Sequence, residues 1–300
     1  SWKKRLEKPR SKDVAVSASG KRLSRPSTRS IASVPFEKVN SCLPVITMSS
    51  PFPADRETAL SRLKEFLPKA GRPYTEKRNY DFGPDKRDNI SMLSPYLSHR
   101  LLTEREVVEA VLEVHKPKEA ESFIQEVVWR TYWKGWLEGR PSVYSGWLRL
   151  LAEDRRRWPD REDFQKAVSG ETGIEPFDYW VHELKESGYL HNHARMWFAS
   201  IWIFTLKLPW SLGAAFFMEH LLDGDAASNT LSWRWVAGLQ TKGKHYVATA
   251  KNIKKFTDGR FNPEGQLAES PAPLGGPAGP NYIPPVDFPF RVSDKVGEDY

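Results

Sequence analysis

The sequence has a single cysteine and no stretch that is long and apolar enough to span a membrane. Cys42 alone excludes a disulfide within these 300 residues, and it also excludes zinc or iron–sulfur sites built from cysteine ligands. The uncharged run 196–206 ends at Lys207, well short of the roughly 18 apolar residues of a membrane-spanning helix. This run predicts a buried helix rather than an anchor.

Acidic residues are scarce at the start of the chain, and this scarcity explains the net charge of +7. Residues 1–34 contain ten Lys and Arg against two acidic residues, which leaves residues 35–300 at −1. Proteins that act on duplex DNA usually have a basic footprint. The balance of the body therefore counts against a housekeeping DNA-repair enzyme.

Composition divides the chain into three parts. Residues 1–50 are rich in Ser, Lys and Arg, which predicts a disordered or transit-like arm and favours a plastid over a mitochondrial destination. Residues 51–262 are predicted to form the folded domain. From Pro263 to Val292 the chain contains eight prolines, so residues 263–300 are predicted to form an extended tail.

Hydrophobic periodicity predicts an all-α body. The strong periods are near 3.6 residues, and no alternating apolar run indicates a strand. Thr103 and Glu106 form a capping-box pattern. Gly, Pro and apolar spacing predict further helices over Ala54–Leu67, Lys118–Glu138, Pro176–Ser187 and Ser211–Leu222.

Two carboxylates stand out after the apolar run 214–222. Asp223 and Asp225 need partners if they are buried, and Arg195, Asn192 or a bound group are the candidates. The stretch 188–235 places these residues among tryptophans and phenylalanines. Buried charge beside aromatic rings is typical of a cofactor pocket.

These same residues resemble a known family. The run GYLHNHARM (188–196) resembles the GWMHNRLRM element of DNA photolyases and cryptochromes, and FFMEHLLDGDAASNTLSWRW (216–235) resembles their YFMxxLIDGDxAxNNGGWQW element. With MLSPYL (92–97) and EVVWR (126–130), the likeness covers about 80–263. It implies a helical photolyase/cryptochrome-type FAD-binding domain with noncovalent FAD and light-driven electron transfer.

The resemblance also implies a set of cofactor-binding residues. Ser94 is predicted to cap a helix whose first position is Pro95, which would aim free N–H groups at the FAD phosphates. Arg195 is expected to pair with Asp223 beside the flavin ring, and Asn229 to face its N5 atom. The full set is Tyr80, Ser91, Leu93, Ser94, Arg130, Asn192, Arg195, Asp223, Asp225 and Asn229.

An electron path and a lesion pocket are implied in the same way. Trp233 and Trp210 match the proximal and middle tryptophans of the family's photoreduction chain, while the distal position is Ala167, for which Trp180 or Trp202 is a candidate substitute. The pocket for a cyclobutane pyrimidine dimer would be formed by Glu126, Trp129, Asn192, Met196 and Trp235. His193 stands where the family has an arginine, and it is either a titratable contact or a structural histidine.

Two functions remain open from the sequence. The first is a photolyase-like enzyme that repairs cyclobutane dimers in damaged DNA. The second is a non-enzymatic flavoprotein, either a blue-light receptor or a subunit of a large plastid complex engaged through the two arms. No βαβ pattern precedes the domain in this sequence, so no antenna chromophore is expected; a metal site is not expected either.

Overall fold

A computed structural model describes residues 51–241 and 244–271, and within these ranges the chain forms helices and no strand, as predicted. The arm over residues 1–50 and most of the tail over 263–300 lie outside the described residues, so the domain boundaries stay predictions. Within the described ranges, no helix is both long and apolar enough to cross a membrane. The α-helices are α1 (Arg56–Phe66), α2 (Arg72–Lys77), α3 (Ser94–Ser98), α4 (Glu104–Val114), α5 (Pro117–Glu138), α6 (Pro141–Arg157), α7 (Glu162–Ser169), α8 (Glu175–Ser187), α9 (Asn192–Ser200), α10 (Trp210–His220), α11 (Ala226–Val236) and α12 (Ala250–Phe256).

Local sequence rules account for several helix ends. At α4, the Thr103 hydroxyl accepts a hydrogen bond from the Glu106 N–H at 3.2 Å, and the Glu106 carboxylate accepts one from the Thr103 N–H at 2.9 Å. Gly188 ends α8 in the left-handed region, at φ 67°, where a side chain is disfavoured. The capping box and the end of α8 are therefore confirmed.

The predicted cap at Ser94 is wrong. Leu93 is the N-terminal cap of α3, and Ser94 and Pro95 are its first two residues, without a side-chain cap. The reason is local: Met92 takes a positive φ of 52°, and Leu93 already has helical angles, so the turn begins one residue early. The predicted end of α10 is also too late, because Leu221 becomes extended after His220.

A π-helical turn, Ile201–Thr205, continues α9. Such turns are rare and widen the helix by one residue. Here the turn buries Ile201, Trp202, Ile203 and Phe204 on successive positions, which confirms the predicted buried helix over 196–206.

The core consists of two clusters of buried side chains. One runs from α6 to the end of the domain and is rich in aromatic rings, and the other joins α1 to the first half of α5 and includes Tyr189. In the first cluster α10 packs against α11, and Gly213 lies under the ring of Trp233: a Cβ atom at Gly213 would be 2.3 Å from Trp233 Cη2.

We predict that Gly213→Ala destabilises the domain although alanine favours helices. The added methyl group would collide with buried Trp233, and overpacking of this kind costs about 1–3 kcal/mol. The control is Gly135→Ala in α5, where a Cβ meets nothing within 4 Å and stability should rise by up to about 1 kcal/mol. Urea denaturation of both variants measures the difference; equal stabilities would contradict the contact.

Candidate cofactor site

A buried ion pair joins α9 to the segment after α10. Arg195 Nη2 lies 2.9 Å from Asp223 Oδ2, and the Asp223 side chain is 3% exposed. Arg195 Nε also donates to the backbone oxygen of Leu190 at 3.0 Å, and its guanidinium lies over the ring of Tyr189 at 5.2 Å. The structure thus contains the Arg195–Asp223 pair that the family resemblance implies.

The electrostatics of Asp223 favour the ionised form. Burial opposes ionisation, but the charge and hydrogen bond of Arg195 outweigh it and hold the pKa of Asp223 below its ordinary value. The Ser94 hydroxyl also helps to lower this pKa, although the second carboxylate oxygen, Oδ1, is buried without a hydrogen bond of standard geometry among the described residues. A buried carboxylate oxygen of this kind fits a bound polar group.

Asp225 forms a second cluster of charges at the start of α11. Its carboxylate accepts a hydrogen bond from the Ser228 N–H at 2.9 Å and lies 3.2 Å from Lys134 Nζ and 3.6 Å from Arg130 Nη1. Burial raises the pKa of Asp225, but the Ser228 hydrogen bond and these two cations keep it below the ordinary value. The cluster therefore brings α5 and α11 together around ionised groups.

The short helix α3 lies beside both clusters. Arg130 donates to Ser98 Oγ at 3.3 Å and to the backbone oxygen of Ser94 at 3.4 Å. Ser98 Oγ in turn donates to the backbone oxygen of Asp223 at 3.2 Å. Arg130, Ser94, Arg195, Asp223 and Asp225 are thus brought into one region, although they lie up to 131 positions apart in the sequence.

Asn229 lies one turn into α11 and is 8% exposed. Its Nδ2 donates to the backbone oxygen of Ala214 at 2.8 Å, so it ties α11 to α10. Asn192 is the exposed first residue of α9, and Met196 lies half-buried one turn later. Their contact with a flavin or a lesion stays a prediction.

Three predicted residues have other surroundings. The ring of Tyr80 packs on Phe82 at 5.5 Å and on Phe256 at 5.1 Å, at the domain's last helix rather than at α3. Leu93 is 1% exposed and belongs to the hydrophobic core. Ser91 Oγ accepts from the Leu93 N–H at 3.4 Å, a local bond within the turn before α3.

On α5, the predicted lesion residues form an aromatic and charged group. Glu126 pairs with Arg78, and the Trp129 ring stacks on Trp133 at 5.3 Å and meets Tyr132 edge-on at 5.1 Å. On α11, which packs against α5, Trp235 stacks on Tyr246 at 5.6 Å.

The two tryptophans of the predicted electron path have different aromatic surroundings, and their role in electron transfer stays a prediction. Trp233 is 2% exposed and meets Trp202 edge-on at 6.3 Å, whereas Trp210 makes no ring contact with it among the described residues. Trp202 lies in the π-helical turn, and its Nε1 donates to the backbone oxygen of Pro209 at 2.9 Å. Trp202, expected only as a distal substitute, is therefore the tryptophan that contacts Trp233, beside Phe217 at 5.1 Å and Phe198 at 6.4 Å.

Several functional neighbours were not predicted from the sequence. Lys134 could have been found, because it lies four residues after Arg130 on the same face of α5. Arg78, Ser98 and Tyr246 could not, because their partners are 48, 125 and 53 positions away.

The residues present fit a flavin dinucleotide. Arg130, Lys134 and Arg195 supply cations for phosphate or for the electron-rich edge of a flavin, and Asp223 and Asp225 supply acceptors for ring N–H groups. Buried Asp223 Oδ1 and Ser228 Oγ have no hydrogen bond of standard geometry among the described residues. Fold and site thus define a helical domain with a cluster of buried polar and charged groups whose chemistry suits FAD.

Comparison with known proteins also indicates an FAD-binding domain. Residues 123–270 match the family model described as the FAD binding domain of DNA photolyase. Deoxyribodipyrimidine photo-lyase from Vibrio cholerae is 29% identical, over 73% of this chain and 46% of its own. A bacterial class III photolyase from Agrobacterium tumefaciens is 27% identical with a TM-score of 0.57, covering 68% of this chain and 43% of its own. A cryptochrome from Synechocystis, 23% identical with a TM-score of 0.59 and matched over 69% and 44%, shares the fold.

The chain therefore carries an FAD-binding domain of the DNA photolyase family. It spans about half the length of the curated relatives it matches. The activity of those full-length relatives is therefore proposed for this chain rather than established by the comparison.

We predict that Asp223→Asn destabilises the fold by about 3–5 kcal/mol at neutral pH, because it leaves the Arg195 charge without its buried partner. Since the folded-state pKa of Asp223 is depressed, its contribution is full above about pH 4 and disappears as the pH falls through the folded value. Urea denaturation across this pH range should show a steeper loss for the wild type than for the variant. Exposed Asp160→Asn is the control, and parallel curves for wild type and Asp223→Asn would contradict the assignment.

Proposed function

We propose that this protein binds FAD noncovalently and uses blue light for one-electron transfer, with cyclobutane pyrimidine dimers in DNA as its substrate. The observation that carries the proposal is the convergence of Arg130, Arg195, Asp223 and Asp225 in one cluster within the matched FAD-binding region. Damaged DNA is the substrate of this proposal because photolyases are the relatives. Absence of an antenna chromophore stays a prediction.

Two groups of side chains would bind different parts of the cofactor. Arg130 and Lys134 neutralise negative charge near α3, and the Arg195–Asp223 pair fixes a cation and an acceptor at the flavin edge. Because these pairs are formed within the protein, the side chains need little rearrangement when the cofactor enters. When bound, FAD supplies the light absorption and the electron.

On the substrate side, α5 and α11 supply the contacts. Trp129 and Trp235 stack on the two faces of a flipped pyrimidine pair, and stacking of a base on an aromatic ring is worth about 1–3 kcal/mol. Arg78 orients the Glu126 carboxyl group beside the dimer. When this group carries a proton, it donates a hydrogen bond to the dimer and stabilises the negative charge that the dimer gains. His193, where the family has an arginine, leaves one fewer permanent cation here.

A non-enzymatic role is the second candidate. The near-neutral charge of residues 35–300 favours it, because the acidic residues there offset the Lys and Arg that would otherwise bind duplex phosphates and release their counterions. In this role the basic arm would direct the protein to plastids and, with the tail, engage a large complex. The arm and most of the tail lie outside the described residues, so this candidate is argued from the sequence.

The purified full chain should show a flavin absorption spectrum, and denaturation with acid should release the flavin because it is noncovalent. Blue light with an external reductant should bleach this spectrum, and dimers in an added oligonucleotide should disappear. Flavin bleaching without dimer loss would contradict the repair activity and favour the receptor or subunit. Absence of flavin, even after incubation with FAD, would contradict the whole proposal.

Glu126→Gln should reduce the rate of dimer loss by about 10-fold or more, because the amide has no charge to pair with Arg78 and no acidic proton to supply to the dimer. FAD content should not change. Glu121→Gln, an exposed change earlier on α5, is the control. Dimer loss at the wild-type rate in Glu126→Gln would refute the role given to this carboxyl group.

A further inference from the structure

Tyr246 forms an unusual pair with a histidine beside the predicted substrate pocket. Its hydroxyl lies 3.3 Å from His193 Nε2, and its ring stacks on Trp235 at 5.6 Å with an interplanar angle of 27°. Tyr246 belongs to the segment between α11 and α12, while His193 is the second residue of α9. The tertiary fold alone brings these three side chains together.

The hydrogen bonds of His193 define which group donates in its contact with Tyr246. His193 Nδ1 lies 2.9 Å from the backbone oxygen of Asn79, and a carbonyl oxygen only accepts, so Nδ1 carries the hydrogen. In the neutral ring Nε2 is then the acceptor, and the Tyr246 hydroxyl is its donor. Burial lowers the pKa of His193, which keeps this ring neutral at ordinary pH.

Packing holds the histidine ring in this orientation. His193 stacks on Trp197 at 4.1 Å, and Trp197 Nε1 is fixed by Asn252 Oδ1 at 2.9 Å. Burial also raises the pKa of Tyr246 to about 12, so its hydroxyl is protonated at ordinary pH. An electron leaving Tyr246 must therefore be accompanied by a proton, and a fixed acceptor for that proton is at hydrogen-bond distance.

We propose that Tyr246 and His193 form a proton-coupled redox pair that fills an electron vacancy on Trp235. One electron passes from Tyr246 to the oxidised Trp235 ring, and the hydroxyl proton passes to His193 Nε2. The products are neutral Trp235, a neutral tyrosyl radical and a protonated His193, so charge and electrons balance. In the protein the oxidant is photoexcited FAD, and to this extent the pair rests on the proposed function.

Geometry distinguishes Tyr246 from other buried or half-buried tyrosines of the domain. Tyr189 is buried between the guanidiniums of Arg87 and Arg195, which lie 5.0 and 5.2 Å from its ring and oppose formation of positive charge. Tyr144 packs on Trp147 at 5.3 Å in α6, with no histidine bonded to it among the described residues. Tyr246 combines a stacked tryptophan with a proton acceptor.

The test oxidises the full chain by a laser flash with a soluble ruthenium polypyridyl photo-oxidant and an electron acceptor, with no need for bound FAD. Electron paramagnetic resonance and transient absorption should detect a hydrogen-bonded tyrosyl radical in the wild type and in the Tyr144→Phe control. Tyr246→Phe should abolish it. His193→Phe, which keeps a ring on Trp197, should slow its formation by about 10²-fold, the low end for a positioned proton acceptor. Deuterated water should also slow formation in the wild type.

A radical that persists unchanged in Tyr246→Phe, or forms at the same rate in His193→Phe, overturns the proposal. Circular dichroism shows whether each variant is folded, and the Tyr246→Phe and His193→Phe results are read only against a folded chain. In a second arm, blue-light flashes on the FAD-loaded chain should give the same radical. Failure to bind FAD would refute the proposed function without altering the result of the ruthenium flash.

Discussion

The ion pair formed by Arg195 and Asp223 lies where the two hydrophobic clusters of the domain meet. Removing either charge would leave the other one buried without its partner. Tyr189, which lies beneath Arg195, belongs to the cluster built from α1 to α5, whereas α9 and α10 build the aromatic cluster. A buried pair of this kind costs desolvation free energy that its mutual attraction only partly returns. The geometry of both helices is therefore tied to this one contact, and the cofactor residues are positioned with it.

A chain of alternating charges extends from this pair. Arg87 pairs with Glu183 on the far side of Tyr189, Arg260 pairs with Asp81, and Lys134 pairs with Asp225. The Glu183 and Asp81 side chains are 4% and 0% exposed, so each positive charge is matched close by. Local neutrality is what allows so many ionised groups to lie within a domain that is otherwise packed with aromatic rings.

The sequence was sufficient to predict those features of the fold that depend on residues close together in the chain. Rules that act over about four residues predicted α1, α4, α5, α8 and most of α10, together with the Thr103 capping box and the end of α8 at Gly188. The motif resemblance implied the Arg195–Asp223 pair. The cap of α3 was not predicted correctly, because the backbone at Met92 and Leu93 turns before the serine. Partners such as Arg78 and Tyr246 were not predictable either, since their contacts bridge 48 and 53 positions and depend on how α5, α9 and α11 pack. Similarly, the choice of Trp202 over Trp210 as the neighbour of Trp233 depends on the π-helical turn.

That turn has a consequence for how the sequence can change. A π-helical turn holds one residue more than the α-helix it interrupts, so Ile201–Thr205 is equivalent to a single-residue insertion confined to one turn. Deleting a residue there would restore regular α-helical phase and rotate the residues before the turn by about 100° relative to those after it. Trp197 and Arg195 would leave their present faces, while Pro209 and α10 stayed in place. The single surplus residue of this turn thus sets the register between the faces of α9 that carry Arg195 and Trp197 and the segment that leads into α10.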